Sequence, residues 1–200
     1  ELMDAKPGQT VFISGGTGSL GAMAIPLAKS LGLTVATNGN GENEKRVRAL
    51  GADIFIDYKK QSYADVLYEV DLVLDTLGDR ELPTEFKVLK EGGHLVSLRG
   101  MPNGRFARRM GLPWYKRFLL SLAGRKFDAM AARKKQTYDF IFVHEDGAQL
   151  ESIASLFPAE RPLTVSIDAT FTLDQINEAL AKVRAGGSQG KTIVRIGDFQ

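Results

Sequence analysis

Three glycines, Gly16, Gly18 and Gly21, stand between the β-branched run Thr10-Val11-Phe12-Ile13 and a helical pattern. G-x-G-x-x-G at a strand-to-helix junction is the spacing of a turn that holds paired phosphates. The first glycine lets the backbone reverse, the second lets a pyrophosphate approach closely, and the third seats the helix against the strand. Free N–H groups at the helix start and the positive end of its dipole then hold the anion without a basic side chain. Gly16, Thr17, Gly18, Ser19, Leu20 and Gly21 are the candidate phosphate residues. The spacing alone is a weak signal, so the surrounding elements must carry it.

Apolar runs near 10–14, 33–37, 53–57, 71–75 and 93–98 alternate with helical stretches. That order predicts an α/β fold: a doubly wound parallel sheet of the Rossmann type in three α/β/α layers. The helix after the glycine turn, 19–31, places Leu20, Met23, Ala24, Leu27 and Leu31 on one side, stops at Gly32, and is expected to bend at Pro26. A short charged helix covers 42–50, and the turn Glu91-Gly92-Gly93 precedes the fifth strand. A sixth strand is expected over 138–143, then a helix over 147–157 and a strand over 163–171. Thr172 and Gln175 have capping-box spacing and open a helix to Arg184, with a closing strand over 191–196. The predicted division is a dinucleotide-binding domain over 1–162, carrying a basic helical insert at 101–135, and a C-terminal segment over 163–200.

With no cysteine and two histidines, the chain offers no disulfide, no thiolate zinc site and no cysteine nucleophile, and no metal site is expected. It lacks an apolar run long enough to span a bilayer, so a cytoplasmic protein without a membrane partner is expected. It begins at Glu1, without an initiator Met, as a fragment would. Between Arg99 and Lys135 there are eleven Lys/Arg and one acid, Asp128, interleaved with Phe106, Trp114, Tyr115, Phe118 and Phe127. Aromatics at helical spacing read as core and the cations as a solvated face, so nucleic acid is not an expected partner; the rival reading is a polyanion-binding or nucleotide-sensing module.

NAD sites usually place an acid at the end of the second strand, where it meets the ribose hydroxyls. Here the stretch reads Thr37-Asn38-Gly39-Asn40, with Lys45 close behind, which favours a 2′-phosphate and hence NADP(H). A short-chain dehydrogenase would need Tyr-x-x-x-Lys, which none of the five tyrosines begins. His94 and His144 read as structural or exposed, and Asp75 as a turn acceptor, so no catalytic residue is assigned.

Several ordered motifs carry a family resemblance. Pro7-Gly8-Gln9-Thr10-Val11, the glycine turn, Leu50-Gly51-Ala52-Asp53, Ile56-Asp57-Tyr58, Asp71 to Gly78, Leu89 to Gly93, Asp168 to Leu180 and Gly190 to Val194 resemble the medium-chain dehydrogenase/reductases. Within them the chain is most similar to the zinc-independent quinone oxidoreductase branch. The resemblance implies that Thr17 to Gly21 hold the pyrophosphate, that Asn38, Asn40, Lys45 and Tyr58 recognise the 2′-phosphate and adenosine, and that Thr76 and Leu77 line the adenine and ribose. It implies that Leu98, Gly100 and Phe142 border the nicotinamide, that a homodimer forms through 138–143, and that residues from 163 close a catalytic domain otherwise absent. The implied activity is hydride transfer between NADPH and a small quinone, enone or other carbonyl substrate, with this fragment alone inactive.

Overall fold

A computed structural model describes residues 2–157, 166–187 and 190–197. Val11, Phe12 and Ile13 are buried on both sides of β1 (Thr10–Ile13), which is why the run is apolar without alternation. Around it lie β2 (Thr34–Gly39), β3 (Ile54–Asp57), β4 (Val70–Asp75), β5 (Leu89–Ser97) and β6 (Thr137–Phe140), in the order β3-β2-β1-β4-β5-β6, every neighbouring pair parallel. The order reverses at β1 and β4, and ligands of such sheets bind outside the carboxyl ends of the strands at that point.

Helices α1 (Gly21–Ser30) and α2 (Glu44–Ala49) cover one face, where Ile25 and Val47 join Val11, Ile13, Val35 and Leu72. Helices α3 (Leu82–Val88) and α5 (Trp114–Ala132) cover the other, where Leu82, Phe86 and Phe127 join Phe12, Leu95 and Tyr138. The three-layer Rossmann expectation holds. The buried stripe of α1 differs from the expected one: Ala22, Ile25 and Ala28 face the sheet, while Leu20 and Leu31 are exposed. The first turn is where the helix comes hard against the strand; a Cβ on Gly21 would lie 2.3 Å from the Gly16 carbonyl oxygen. The helix continues through Pro26.

The expected turn at Glu91–Gly93 is an irregularity inside β5, whose register shifts between Val70↔Leu89 and Leu72↔His94. β6 stops at Phe140 and does not reach Val143. The Ile141 N–H bonds inward to the Ser97 carbonyl at 3.0 Å. Backbone polar groups alternate sides along a parallel strand, so the carbonyls of Tyr138 and Phe140 point to the outer rim. They are taken there by Asn103 Nδ2 at 3.1 Å and Arg109 Nη2 at 2.5 Å, beside α4 (Gly104–Arg109). The basic insert thus caps the sheet edge before returning as α5.

Beyond α6 (Gly147–Ser155), β7 (Ile167–Thr172) and β8 (Lys191–Arg195) form a separate parallel pair with α7 (Ile176–Ala185). Gln175 Oε1 accepts the Thr172 N–H at 3.1 Å, as the capping box requires. The start of the strand expected at 163, the 162/163 boundary and part of the 186–190 loop lie outside the described residues. Among the described residues no helix is long and apolar enough to cross a membrane.

Candidate functional site

The turn between β1 and α1 is built by interlocking two loops. Gly15, at φ +68°, takes the left-handed conformation that reverses the chain, one position before the glycine expected to do so. Its N–H donates to Asn38 Oδ1 at 2.8 Å, and the Gly16 N–H donates to Thr37 Oγ1 at 3.0 Å. A Cβ on Gly16 would lie 2.0 Å from Thr37 Oγ1, so this glycine is fixed by packing against β2. Gly18 is different: the nearest atom to its hypothetical Cβ is the Gly15 carbonyl oxygen, at 3.4 Å, leaving open space on the outer side of the turn.

Among the described residues nothing accepts from the N–H groups of Thr17, Ser19, Leu20 or Gly21, whereas Gly18 and Ala22 find partners inside the turn at 3.0 and 3.1 Å. Four donors at the start of a ten-residue helix, beside a position kept clear of side chains, form an anion cradle. β7 and β8 come close to it, since Ser19, Ala22 and Met23 share a small pocket with Ser166, Gly190 and Lys191.

Arg46, which the sequence reading passed over, reaches from α2 to the Thr17 carbonyl, Nη2 at 2.6 Å. Its Nε and Nη1 are buried and have no hydrogen-bond partner among the described residues. A guanidinium is always charged, and buried donors without acceptors are destabilising, so this is a cation lacking an anion. The cue in the sequence was faint: Arg46 precedes the buried Val47 in a short helix, and its reach to Thr17 depends on tertiary folding.

The other predicted residues divide between the site and its support. Asn38 is buried, its Oδ1 engaged by Gly15. Asn40 caps the 3-10 turn Gly41–Asn43 and donates from Nδ2 to Glu42 Oε2 at 2.9 Å, which sets a carboxylate beside the loop. Lys45 is exposed. Tyr58 is exposed just past β3, its N–H on the Gly39 carbonyl at 3.2 Å. Thr76 donates from Oγ1 to the Ser14 carbonyl at 2.7 Å, and Leu77 is exposed next to it. The Leu98 N–H bonds to the Asp75 carbonyl at 3.0 Å, and Gly100 is held by Ser97 Oγ at 2.6 Å, with the Tyr138 hydroxyl 2.3 Å from where a Cβ would stand. Phe142 is exposed beyond the end of β6. Asp75 closes the turn after β4, its Oδ1 accepting the Leu77 and Gly78 N–H groups at 2.8 Å each.

Two further buried carboxyls lie outside the cradle. Glu85 lies fully buried on α3, and neither carboxyl oxygen has a hydrogen-bond partner among the described residues. Burial first, and the nearby Asp75 charge second, push its pKa up to about 9, so it is neutral at pH 7. Its place between Leu82 and Phe86 on one helical face could have marked it as buried. Asp139 is also fully buried, and burial alone would raise its pKa. Hydrogen bonds from His94 Nε2 (2.9 Å), Arg105 (3.3 Å) and Arg109 (2.9 Å) outweigh burial and hold it at about 2. His94 is therefore a structural partner. His144 is exposed, with Nδ1 3.2 Å from the Glu145 carbonyl oxygen.

Comparison with known proteins places this geometry in context. Residues 50–194 match the family profile described as zinc-binding dehydrogenase. The zebrafish (Danio rerio) mitochondrial NAD(P)H oxidoreductase RTN4IP1 is 29% identical over 202 residues, covering 98% of this chain and 51% of the relative. The chloroplastic NADPH-dependent alkenal/one oxidoreductase of Arabidopsis thaliana is 37% identical over 95 residues, 46% of this chain and 24% of that protein. The quinone oxidoreductase of Coxiella burnetii has the same fold, with a TM-score of 0.79 at 24% identity over 98% of this chain and 55% of its own. The chain thus spans about half the length of the relatives that it matches from end to end.

Proposed function

We propose, because this chain belongs to the zinc-binding dehydrogenase family, that it is the NADP(H)-holding half of a reductase acting on a quinone, enone or other small carbonyl compound. The observation that carries this reading is the cradle itself: unengaged N–H groups at Thr17, Ser19, Leu20 and Gly21, an open Gly18, and a guanidinium at Arg46 with two unpaired nitrogens. Thr17 to Gly21 would hold the pyrophosphate, and Arg46, with Lys45 and Tyr58 at the rim, the adenosine 2′-phosphate. The Asn38 side-chain oxygen Oδ1 accepts the Gly15 N–H and keeps the turn in shape for the ligand. Thr76, Leu77, Leu98, Gly100 and Phe142 would border the path toward the nicotinamide. When bound, the cofactor supplies the hydride. What the chain supplies is binding, orientation and exclusion of water on one side, so on its own it would turn over no substrate.

Zinc does not fit these residues. The chain has no cysteine, its two histidines are far apart in the fold, and among the described residues no group of three or more His, Cys, Asp or Glu could hold a metal ion. Dimerisation through 138–143 belongs to the same proposal. With the outer carbonyls of Tyr138 and Phe140 already occupied, the contact would fall to exposed Phe142 and Val143.

Titrating NADPH and NADH separately against the protein, by nicotinamide fluorescence, tests the reading. NADPH is expected to bind about tenfold more tightly or better, roughly 1.4 kcal/mol. Equal affinities would remove the 2′-phosphate assignment, and failure of both nucleotides to bind would remove the function.

A further inference from the structure

Helix α5 is 19 residues long, yet it buries only Gly124, Phe127 and Ala131. At 3.6 residues per turn these three lie on one side. Trp114, Phe118 and Leu122, spaced by four, with Tyr115 and Leu119 alongside, lie on the opposite side. All five are exposed, Trp114 at 79%, Phe118 at 61% and Leu119 at 59%. Of the aromatic residues expected in the core, Phe127 is buried and Phe106 packs edge-on against Phe140, while Trp114, Tyr115 and Phe118 are on an outer face. Farther along that same face come Arg125, Lys126 and Arg133. The insert's one acid, Asp128, is turned inward and accepts from Asn103 Nδ2 at 2.7 Å.

We propose that this outward face of α5 docks on an anionic lipid surface, with the rings of Trp114 and Phe118 and the side chain of Leu122 entering the headgroup boundary and Arg125, Lys126 and Arg133 meeting lipid phosphates. A continuous apolar stripe of this size is unusual on a free surface and marks a contact site. The charge pattern selects the occupant. A second copy presenting the same face would set cations against cations with no exposed acid to offset them, whereas an anionic bilayer complements both halves of the stripe. The helix lies on the bilayer; no described helix is apolar enough to cross it. A lipophilic quinone or enone would be met at such a surface, but the docking stands without that substrate.

Trp114 is the chain's one tryptophan, so its emission reports on this face alone. With phosphatidylcholine vesicles containing about a third phosphatidylserine, its emission should shift to the blue and acrylamide quenching should fall; partitioning should exceed that onto pure phosphatidylcholine about tenfold or more and weaken at high salt. The double variant Phe118→Ser/Leu122→Ser should lose the spectral shift, and Arg125→Glu/Lys126→Glu the preference for anionic vesicles. Both sets are exposed, so circular dichroism and melting should match the parent. No shift with anionic vesicles, or equal partition onto neutral ones, overturns the proposal. So does a shift produced by DNA or polyglutamate without lipid, which would assign the face to a macromolecular polyanion, and so does one that grows with protein concentration alone, which would assign it to a second copy.

Discussion

One sheet holds two regions that treat their polar groups in opposite ways. At the rim of β6, the Asp139 carboxylate is surrounded by His94, Arg105 and Arg109, and the outward carbonyls of Tyr138 and Phe140 are taken by Asn103 and Arg109. At the turn after β1, four N–H groups and two guanidinium nitrogens have no acceptor among the described residues. Both regions carry arginine–backbone contacts of similar length, 2.5 and 2.6 Å, so proximity of charge does not separate them. Satisfaction does: a saturated network holds an insert in place, while a set of donors of uniform sign with no acceptor in the chain is free to take an anion.

The largest test of that contrast lies among the glycines. Gly16→Val would force a side chain onto Thr37 Oγ1, 2.0 Å from the Cβ position, and should leave little folded protein. Gly18→Val meets nothing closer than 3.4 Å in the chain. It should fold and melt like the parent yet lose nucleotide affinity by about a hundredfold or more, about 2.7 kcal/mol. Retained NADPH affinity in Gly18→Val would show that the phosphates lie elsewhere.

Behind the open turn, Glu85 gives the next largest effect. Its folded pKa, about 9, stands above the ordinary 4.5, so its stabilising contribution is complete below pH 4.5 and is lost as pH rises through 9. Glu85→Gln keeps the shape and stays neutral. It should remove that slope and, in chemical denaturation at pH 7, raise stability by up to about 3 kcal/mol relative to the parent, with the gain vanishing near pH 4. An equal gain at both pH values would mean that the carboxyl is not held neutral.

At the saturated rim the sign reverses. Asp139 is depressed from 3.8 to about 2, so its contribution is present above pH 4 and lost as pH falls through 2. That corresponds to about 2 kcal/mol. Asp139→Asn should lower stability at pH 7 by about that much and flatten the acid limb, without the larger loss of a fully buried pair, because Arg105 and Arg109 can reach water. Nucleotide affinity should not move. A fall in affinity equal to that of Gly18→Val would tie the rim to the site.

The difference between these regions also marks what could be read from the chain alone. Local pattern located the strands, because an interior parallel strand such as Val11-Phe12-Ile13 must be apolar throughout, and it located the glycine turn, because only glycines fit where Gly16 meets Thr37 and Gly21 meets Gly16. It misread α1, where Leu20 and Leu31 face out because they are the cap residues just beyond the two ends of the helix, and Ala22, Ile25 and Ala28 form the stripe on the sheet. It overran β6 for a reason that lies 31 residues away, in the grip of Arg109 on Phe140. Lys45 drew attention as the nearest cation in sequence; Arg46, one position on, is the one whose side chain reaches the turn.

Arg46 therefore gives the smallest and most discriminating prediction. Replacing it with Met keeps the length and apolar stem while removing both the Thr17 contact and the unpaired charge. If the guanidinium serves a 2′-phosphate, NADPH affinity should fall about tenfold, roughly 1.4 kcal/mol, while NADH affinity changes little. Unfolding stability should hold or rise, since two buried donors without acceptors are removed. The paired measurement on Lys45→Met should show a smaller loss, because that side chain is exposed and its attraction for phosphate is screened by water and salt. Equal losses of NADPH and NADH in Arg46→Met would instead give the residue a role in shaping the turn through Thr17, and the selectivity would then have to come from Lys45 and Tyr58.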